Sequence, residues 1–211
     1  VIPRSVFSHL AGSDGDQFDS FTRKQIETFE KASEELQSAF PHKILRHICN
    51  TAGIQRYPGA QFEMVRLGLG LYGVDPYTNQ MLHNVSTLKT TILQIRDVPQ
   101  EDSVGYRRGG RLERECRSAA IPRGYADGLN RRLGNGNAYC LVNGQKAPYV
   151  GNICMDVCMI DVTDIDCREG DKVIIFGDDL PVTVLSDVLE TIPYEILTSV
   201  SNRVKRIYYQ D

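Results

Sequence analysis

The feature that most constrains this fold is a change of texture at Pro76. Before it, a helical repeat separates short buried-strand candidates; after it, strand-like segments follow one another between glycine-rich turns. Phe18, Phe21, Ile26, Phe29, Ala32, Leu36 and Phe40 recur at near-helical spacing, with Asp16 placed to cap the run and Pro41 to stop it. SVFSHLA reads as a strand before this helix, and KILRHICN and EMVRLGLGLYG as buried strands after it, while nothing between Thr51 and Gln61 is long enough to assign. Strand, helix, strand, strand is the tail of a parallel α/β unit. Beyond Pro76, STLKTTILQIRDV, RLERECRSAAIP, NAYCLVNGQKAPYVG, ICMDVCMIDVT and GDKVIIFG predict a mostly antiparallel β domain, with Asn143-Gly144 as a type I′ hairpin turn. TVLSDVLETI and PYEILTSVS read as helices and RVKRIYY as a closing strand. The fold class is therefore α/β followed by mainly β. The boundary is expected between Pro76 and Val85, giving parts 1–80 and 81–211.

Composition narrows the partners. With 24% charged residues and a formal net charge of -3, neither a nucleic-acid polyanion nor an anionic membrane is favoured, and a small uncharged or zwitterionic ligand fits better. No apolar run approaches the roughly 20 residues of a membrane helix, and the opening VIPRSVFSHLAGSD lacks a signal core, so a cytoplasmic location is expected. The six cysteines, Cys49, Cys116, Cys140, Cys154, Cys158 and Cys167, lack the clustered spacing of a zinc site and read as reduced structural thiols. Cys154 and Cys158, four apart in an extended run, should share a face.

Five segments carry candidate chemistry. In EMVRLGLGLYG, alternation would send Val65, Leu67, Leu69 and Leu71 one way and Arg66, Gly68, Gly70 and Tyr72 the other. Glycines beside an arginine leave backbone N–H groups open to a ligand and set a cation next to it, as a phosphate or flat-ring site requires; a packed strand whose Arg66 pairs with a surface carboxylate is the plainer alternative. HICNTAG ends a strand on polar residues and a glycine, a place that can hold phosphate oxygens, although His47 also suits a hydrogen-bonded core and Asn50 and Thr51 the cap of a following turn. GYADG sets Tyr125 between glycines, where its hydroxyl can face a site or its ring can simply pack. In GNICMDV, Met155 and Asp156 should face opposite sides of a strand, one buried and one not. TIPYEILTSVSNRV opens a helix with Tyr194, whose buried hydroxyl needs a partner that a phosphate would supply.

None of these is specific alone, but their order is. SHLAGSD, HICNTAG, MVRLGLGLYG, GYADG, VGNICMDV and TIPYEILTSVSNRV, in that sequence across the whole chain, closely resemble the C-terminal part of bacterial alanine racemases. The resemblance implies a (β/α)8 barrel that binds pyridoxal phosphate, followed by a mainly β domain, in a homodimer whose sites combine both subunits. This chain would supply the last barrel strands over 1–80 and the β domain over 81–211. Arg66 resembles the arginine that hydrogen-bonds the pyridine nitrogen, with His47 behind it. Thr51, Gly68 and Leu69 through their backbones, and Tyr194 through its hydroxyl would hold the phosphate, with Asn50 adjacent. Tyr125 matches the tyrosine that moves the α-proton on one face of alanine, Met155 the residue whose backbone meets the substrate carboxylate, and His9 the histidine linked to the tyrosine network. The implied activity is interconversion of L- and D-alanine, the supply of D-alanine for peptidoglycan, and no metal is implied.

The resemblance also implies what these residues do not include. The family's imine-forming lysine, its second base, lies near its N-terminus, and Lys24, Lys31, Lys43, Lys89, Lys146, Lys172 and Lys205 all lie outside any matching motif. The chain is expected to be inactive by itself. Two other readings stay open: a relative acting on another small amino acid such as serine, and a non-catalytic dimerisation module.

Overall fold

The computed structural model describes residues 1–209, which divide into two compact units, Val1–His83 and a second from Asn84 onward. In the first, β1 (Ser5–Phe7) and β2 (Leu45–His47) pair in parallel, Ser5 opposite Leu45 and Phe7 opposite His47. A parallel pair needs a crossover, and α1 (Asp19–Ser38) provides it. Phe29 of α1 is buried with Leu10, Ile48, Cys49, Tyr57 and Ala60, against which Ile26 and Val65 pack. Burying a phenylalanine side chain contributes about 2 kcal/mol, which offsets part of the ordering cost of the helix. Phe18 and Phe21, placed on the same apolar stripe by the sequence pattern, are exposed.

Two expectations fail in this unit, and one open stretch is resolved. Asp16 does not cap α1; it lies in a preceding 3-10 turn, where its carboxylate takes the Arg56 guanidinium and the Tyr77 hydroxyl. The unassigned stretch after β2 holds a short helix, α2 (Thr51–Arg56). EMVRLGLGLYG is not a strand: Met64–Gly68 carries no regular structure and Leu69–Tyr72 is a 3-10 turn, closed by Gly73 in the left-handed region at φ 78°. A hydrophobic alternation is equally satisfied by an irregular segment that buries only Leu69 and leaves Leu67 and Leu71 exposed.

The second unit is built on a seven-stranded sheet. Its strands are β3 (Leu88–Thr91), β4 (Gln94–Val98), β7 (Cys116–Ile121), β8 (Tyr139–Val142), β9 (Gln145–Val150), β10 (Cys158–Asp161) and β11 (Lys172–Phe176). The two-residue strands β5 (Ser103–Val104) and β6 (Gly110–Arg111) form a separate ribbon. In the order β3-β11-β8-β9-β10-β7-β4 every neighbouring pair is antiparallel. The two edge strands are consecutive in sequence, so one bent segment serves both edges and the sheet curls back on itself, leaving few strand edges unpaired.

Asn143 and Gly144, both at positive φ (49° and 77°), form the tight turn between β8 and β9 that their sequence predicts. The two expected helices are α3 (Val182–Leu189) and α4 (Pro193–Ser199). RVKRIYY is not a strand; residues 205–209 carry no regular structure. All six cysteines are buried and unbridged. Cys158 opens β10 but Cys154 lies in the loop before it, so the two do not share a strand face. Among the described residues no cluster of His, Cys, Asp or Glu could hold a metal ion, and no helix is long and apolar enough to cross a membrane.

Candidate active site

In the first unit the candidate residues gather at the C-terminal ends of β1 and β2. In parallel β/α folds this is where the loops that carry chemistry emerge. His9 follows β1, His47 ends β2, and Asn50 and Thr51 begin α2. The Arg66 main-chain N–H donates to Cys49 O at 3.0 Å, which carries its side chain across the strand ends. Its guanidinium donates to Ser8 O at 2.6 Å and to His47 Nδ1 at 2.7 Å, approaches His9 Nδ1 at 3.2 Å and lies over the Phe7 ring, 5.3 Å from its centroid. These partners are carbonyls, imidazoles and a ring, with no carboxylate among the described residues. The alternative of an Arg66 paired at the surface is therefore not what the chain adopts.

His47 must accept at Nδ1, because arginine only donates. Burial and then the Arg66 charge lower its pKa below the ordinary 6.5, which keeps it the neutral acceptor that Arg66 needs. Its ring stacks on Phe7 with centroids 5.3 Å apart. Because the folded pKa is depressed, the stabilisation is fully present above 6.5 and is lost as pH falls below it, when the unfolded chain takes up a proton the folded one refuses. Urea midpoints measured against pH should show this loss, and His47→Gln should flatten that component. An unchanged slope would mean His47 titrates normally in the fold.

Beside Arg66, the Gly68 and Gly70 N–H groups both point at Thr51 Oγ1, at 3.0 and 3.3 Å. A Cβ on Gly70 would stand 2.7 Å from Thr51 Cγ2, so the glycine is required by this close approach. Asn50 is the N-cap of α2: its Oδ1 accepts from the Gly53 N–H at 2.9 Å and from the Ser13 hydroxyl at 2.8 Å. Its carboxamide oxygen is thus committed to holding the loop.

The second unit holds Tyr125, Met155 and Tyr194. Tyr125 opens a 3-10 turn (Tyr125–Asp127) shortly after β7 and is 46% exposed. Met155 lies in the loop between β9 and β10 and is 50% exposed, and Asp156 is exposed as well, so the expected strand with one buried and one exposed residue is absent. Two main-chain bonds join these loops, from Tyr125 N–H to Cys154 O and from Ala126 N–H to Met155 O, each 3.0 Å. Tyr194 is half-buried in the first turn of α4.

Residues that the sequence did not flag hold the tyrosine turn. Asp127 is buried; its Oδ2 accepts from the Gly124 N–H at 2.9 Å and its Oδ1 from Arg203 Nε at 2.7 Å. Burial pushes the Asp127 carboxyl up, but these bonds outweigh it and the net shift is downward, so the carboxylate stays charged. Gly124 leaves no space: a Cβ there would lie 2.2 Å from Met155 O. Gly124→Ala is expected to destabilise the β domain by about 1–3 kcal/mol, the usual cost of overpacking, read from urea melts. A variant as stable as the parent would show that the two loops separate freely.

A parallel β/α segment with polar groups at its strand ends, followed in the chain by a curled antiparallel sheet, places the protein in the class of α/β segments with an appended β domain. The sequence matches the family described as alanine racemase, N-terminal domain, over residues 1–76 and alanine racemase, C-terminal domain, over residues 85–208. The chain belongs to the alanine racemase family. It is 37% identical to alanine racemase 1 of Clostridium acetobutylicum over 100% of this chain and 57% of that protein. The alanine racemase of Bartonella henselae, solved with covalently bound pyridoxal phosphate, superposes with a TM-score of 0.85 at 35% identity over 98% of this chain and 56% of that one. That of Bacillus anthracis, solved with bound L-Ala-P, gives 0.87 at 31% identity over 98% and 55%. The chain thus spans just over half the length of these relatives.

Proposed function

We propose that this chain supplies the cofactor cradle and one of the two acid–base groups of an alanine racemase. The observation that carries the reading is the convergence of the Gly68 and Gly70 N–H groups on Thr51 Oγ1 beside a guanidinium fixed by neutral partners. This set of main-chain N–H groups, a hydroxyl and a guanidinium, with no carboxylate among them, has the donors that a flat ring with a phosphate tail requires, so pyridoxal phosphate fits. Thr51 and the backbones of Gly68 and Leu69 would hold the phosphate, with Asn50 fixing the loop. Arg66 would face the ring nitrogen. When bound, the cofactor acts as an electron sink that acidifies the α C–H of alanine.

The residues of the chain then divide the remaining work. Arg66, whose guanidinium only donates hydrogen bonds, would leave the ring nitrogen unprotonated and so moderate the sink. His47 keeps the guanidinium in place. Tyr125 removes or returns the α-proton on one face, the Met155 backbone binds the substrate carboxylate, and His9 belongs to the tyrosine network. In the proposed homodimer, Tyr125 and Met155 act on the cofactor of the opposite subunit. The activity would supply D-alanine for peptidoglycan in the cytoplasm. The test is to incubate the intact protein that contains this sequence with pyridoxal phosphate and L-alanine and follow D-alanine by chiral chromatography. Approach to an equal mixture is expected from either enantiomer. Racemisation of serine in preference to alanine, or of neither, would refute the assignment.

A further inference from the structure

We propose that Arg203 is a positioning residue for proton transfer, fastening the Tyr125 turn to the Met155 loop so that the two move as one body. The proposal rests on the reading of Tyr125 and Met155 given above. The turn follows β7 and the loop joins β9 to β10, and both carry exposed side chains at their tips. Their direct connection is the pair of main-chain bonds to Cys154 O and Met155 O. Two such bonds between surface loops open easily.

Arg203 spans the same gap. Its Nε donates to Asp127 Oδ1 in the turn at 2.7 Å and its Nη2 to Asp156 Oδ1 in the loop at 2.6 Å. The arginine is itself anchored to the turn, because the Ser201 N–H donates to Asp127 O at 3.1 Å. Asp127 passes the constraint on, its second oxygen holding the Gly124 N–H immediately before Tyr125. A planar guanidinium can hold two carboxylates at fixed separation, whereas a lysine ammonium is a point charge on a flexible stem. Were Arg203 present only to neutralise the buried Asp127, a single contact would suffice and the exposed Asp156 would be irrelevant.

Arg203→Lys and Asp156→Asn, made in the intact protein, separate these roles by two readouts. The first is hydrogen exchange at the Tyr125 and Ala126 amides, which needs no catalysis. Both variants should speed it on the order of tenfold and leave the β7–β10 ladder unchanged. Wild-type exchange at those amides, or equal acceleration throughout the sheet, would overturn the proposal. Asp156→Asn removes only an exposed carboxylate, so it keeps the test decisive should the Arg203 variant fold poorly. The second readout is solvent deuterium entering each alanine enantiomer, which should slow only for the enantiomer whose proton Tyr125 takes. Faster loop exchange with equal slowing of both enantiomers would leave the fastening intact and refute the acid–base role of Tyr125.

Discussion

Replacing Tyr125 by Phe in the intact protein is expected to lower racemisation on the order of 100-fold or more, the usual worth of a positioned acid–base group. The ring volume is nearly kept and the residue is 46% exposed, so the fold should be unaffected. The turn itself is held by main-chain bonds to Cys154 and Met155 and by the Asp127 carboxylate, none of which involves the Tyr125 hydroxyl. The loss should also be one-sided. The lysine that the family resemblance assigns to the opposite face can still take the α-proton from D-alanine and return it, so in heavy water deuterium should enter D-alanine far faster than L-alanine. NMR of each enantiomer separately reads this out. Equal slowing of both would mean a structural role, and unchanged racemisation would remove Tyr125 from the chemistry.

Arg66→Glu is expected to reduce turnover by about 100-fold, the order found when a preorganised donor is removed from a site, and to move the absorption of the bound cofactor to longer wavelength. A carboxylate would share a proton with the ring nitrogen instead of leaving it bare. A second effect needs no cofactor. The Arg66 charge helps hold the His47 pKa down, so its replacement by an anion should raise that pKa, measurable by NMR titration of the imidazole. Unchanged spectra and rate together with an unmoved His47 would place Arg66 away from both ring and histidine.

The layout of the chain was legible where side-chain chemistry acts locally. The Asn143-Gly144 turn, the helix around Phe29 and the succession of short strands after Pro76 all follow from neighbouring residues. The Arg66 segment was misread as a strand because alternation cannot distinguish a paired strand from an irregular stretch that packs Val65 and Leu69 inward. Yet the glycines that made it look like a ligand site do leave their N–H groups free to converge on Thr51. Tyr125, Arg66 and Met155 were proposed from short motifs. Arg203 was not, since its partners Asp127 and Asp156 are distant in sequence and belong to two loops that only the curled sheet brings together.

The central claim is that a cradle built on Arg66 and a base at Tyr125 complete one another across a racemase dimer, and subunit mixing tests it most directly. Arg66→Glu and Tyr125→Phe proteins, each nearly inactive, are unfolded together, refolded and assayed with L-alanine and pyridoxal phosphate. A hybrid dimer then contains one site with both residues intact and one with neither, so roughly a quarter of the wild-type activity should return if subunits pair at random. Activity no higher than that of the separate variants, with hybrid dimers demonstrably formed, would contradict it.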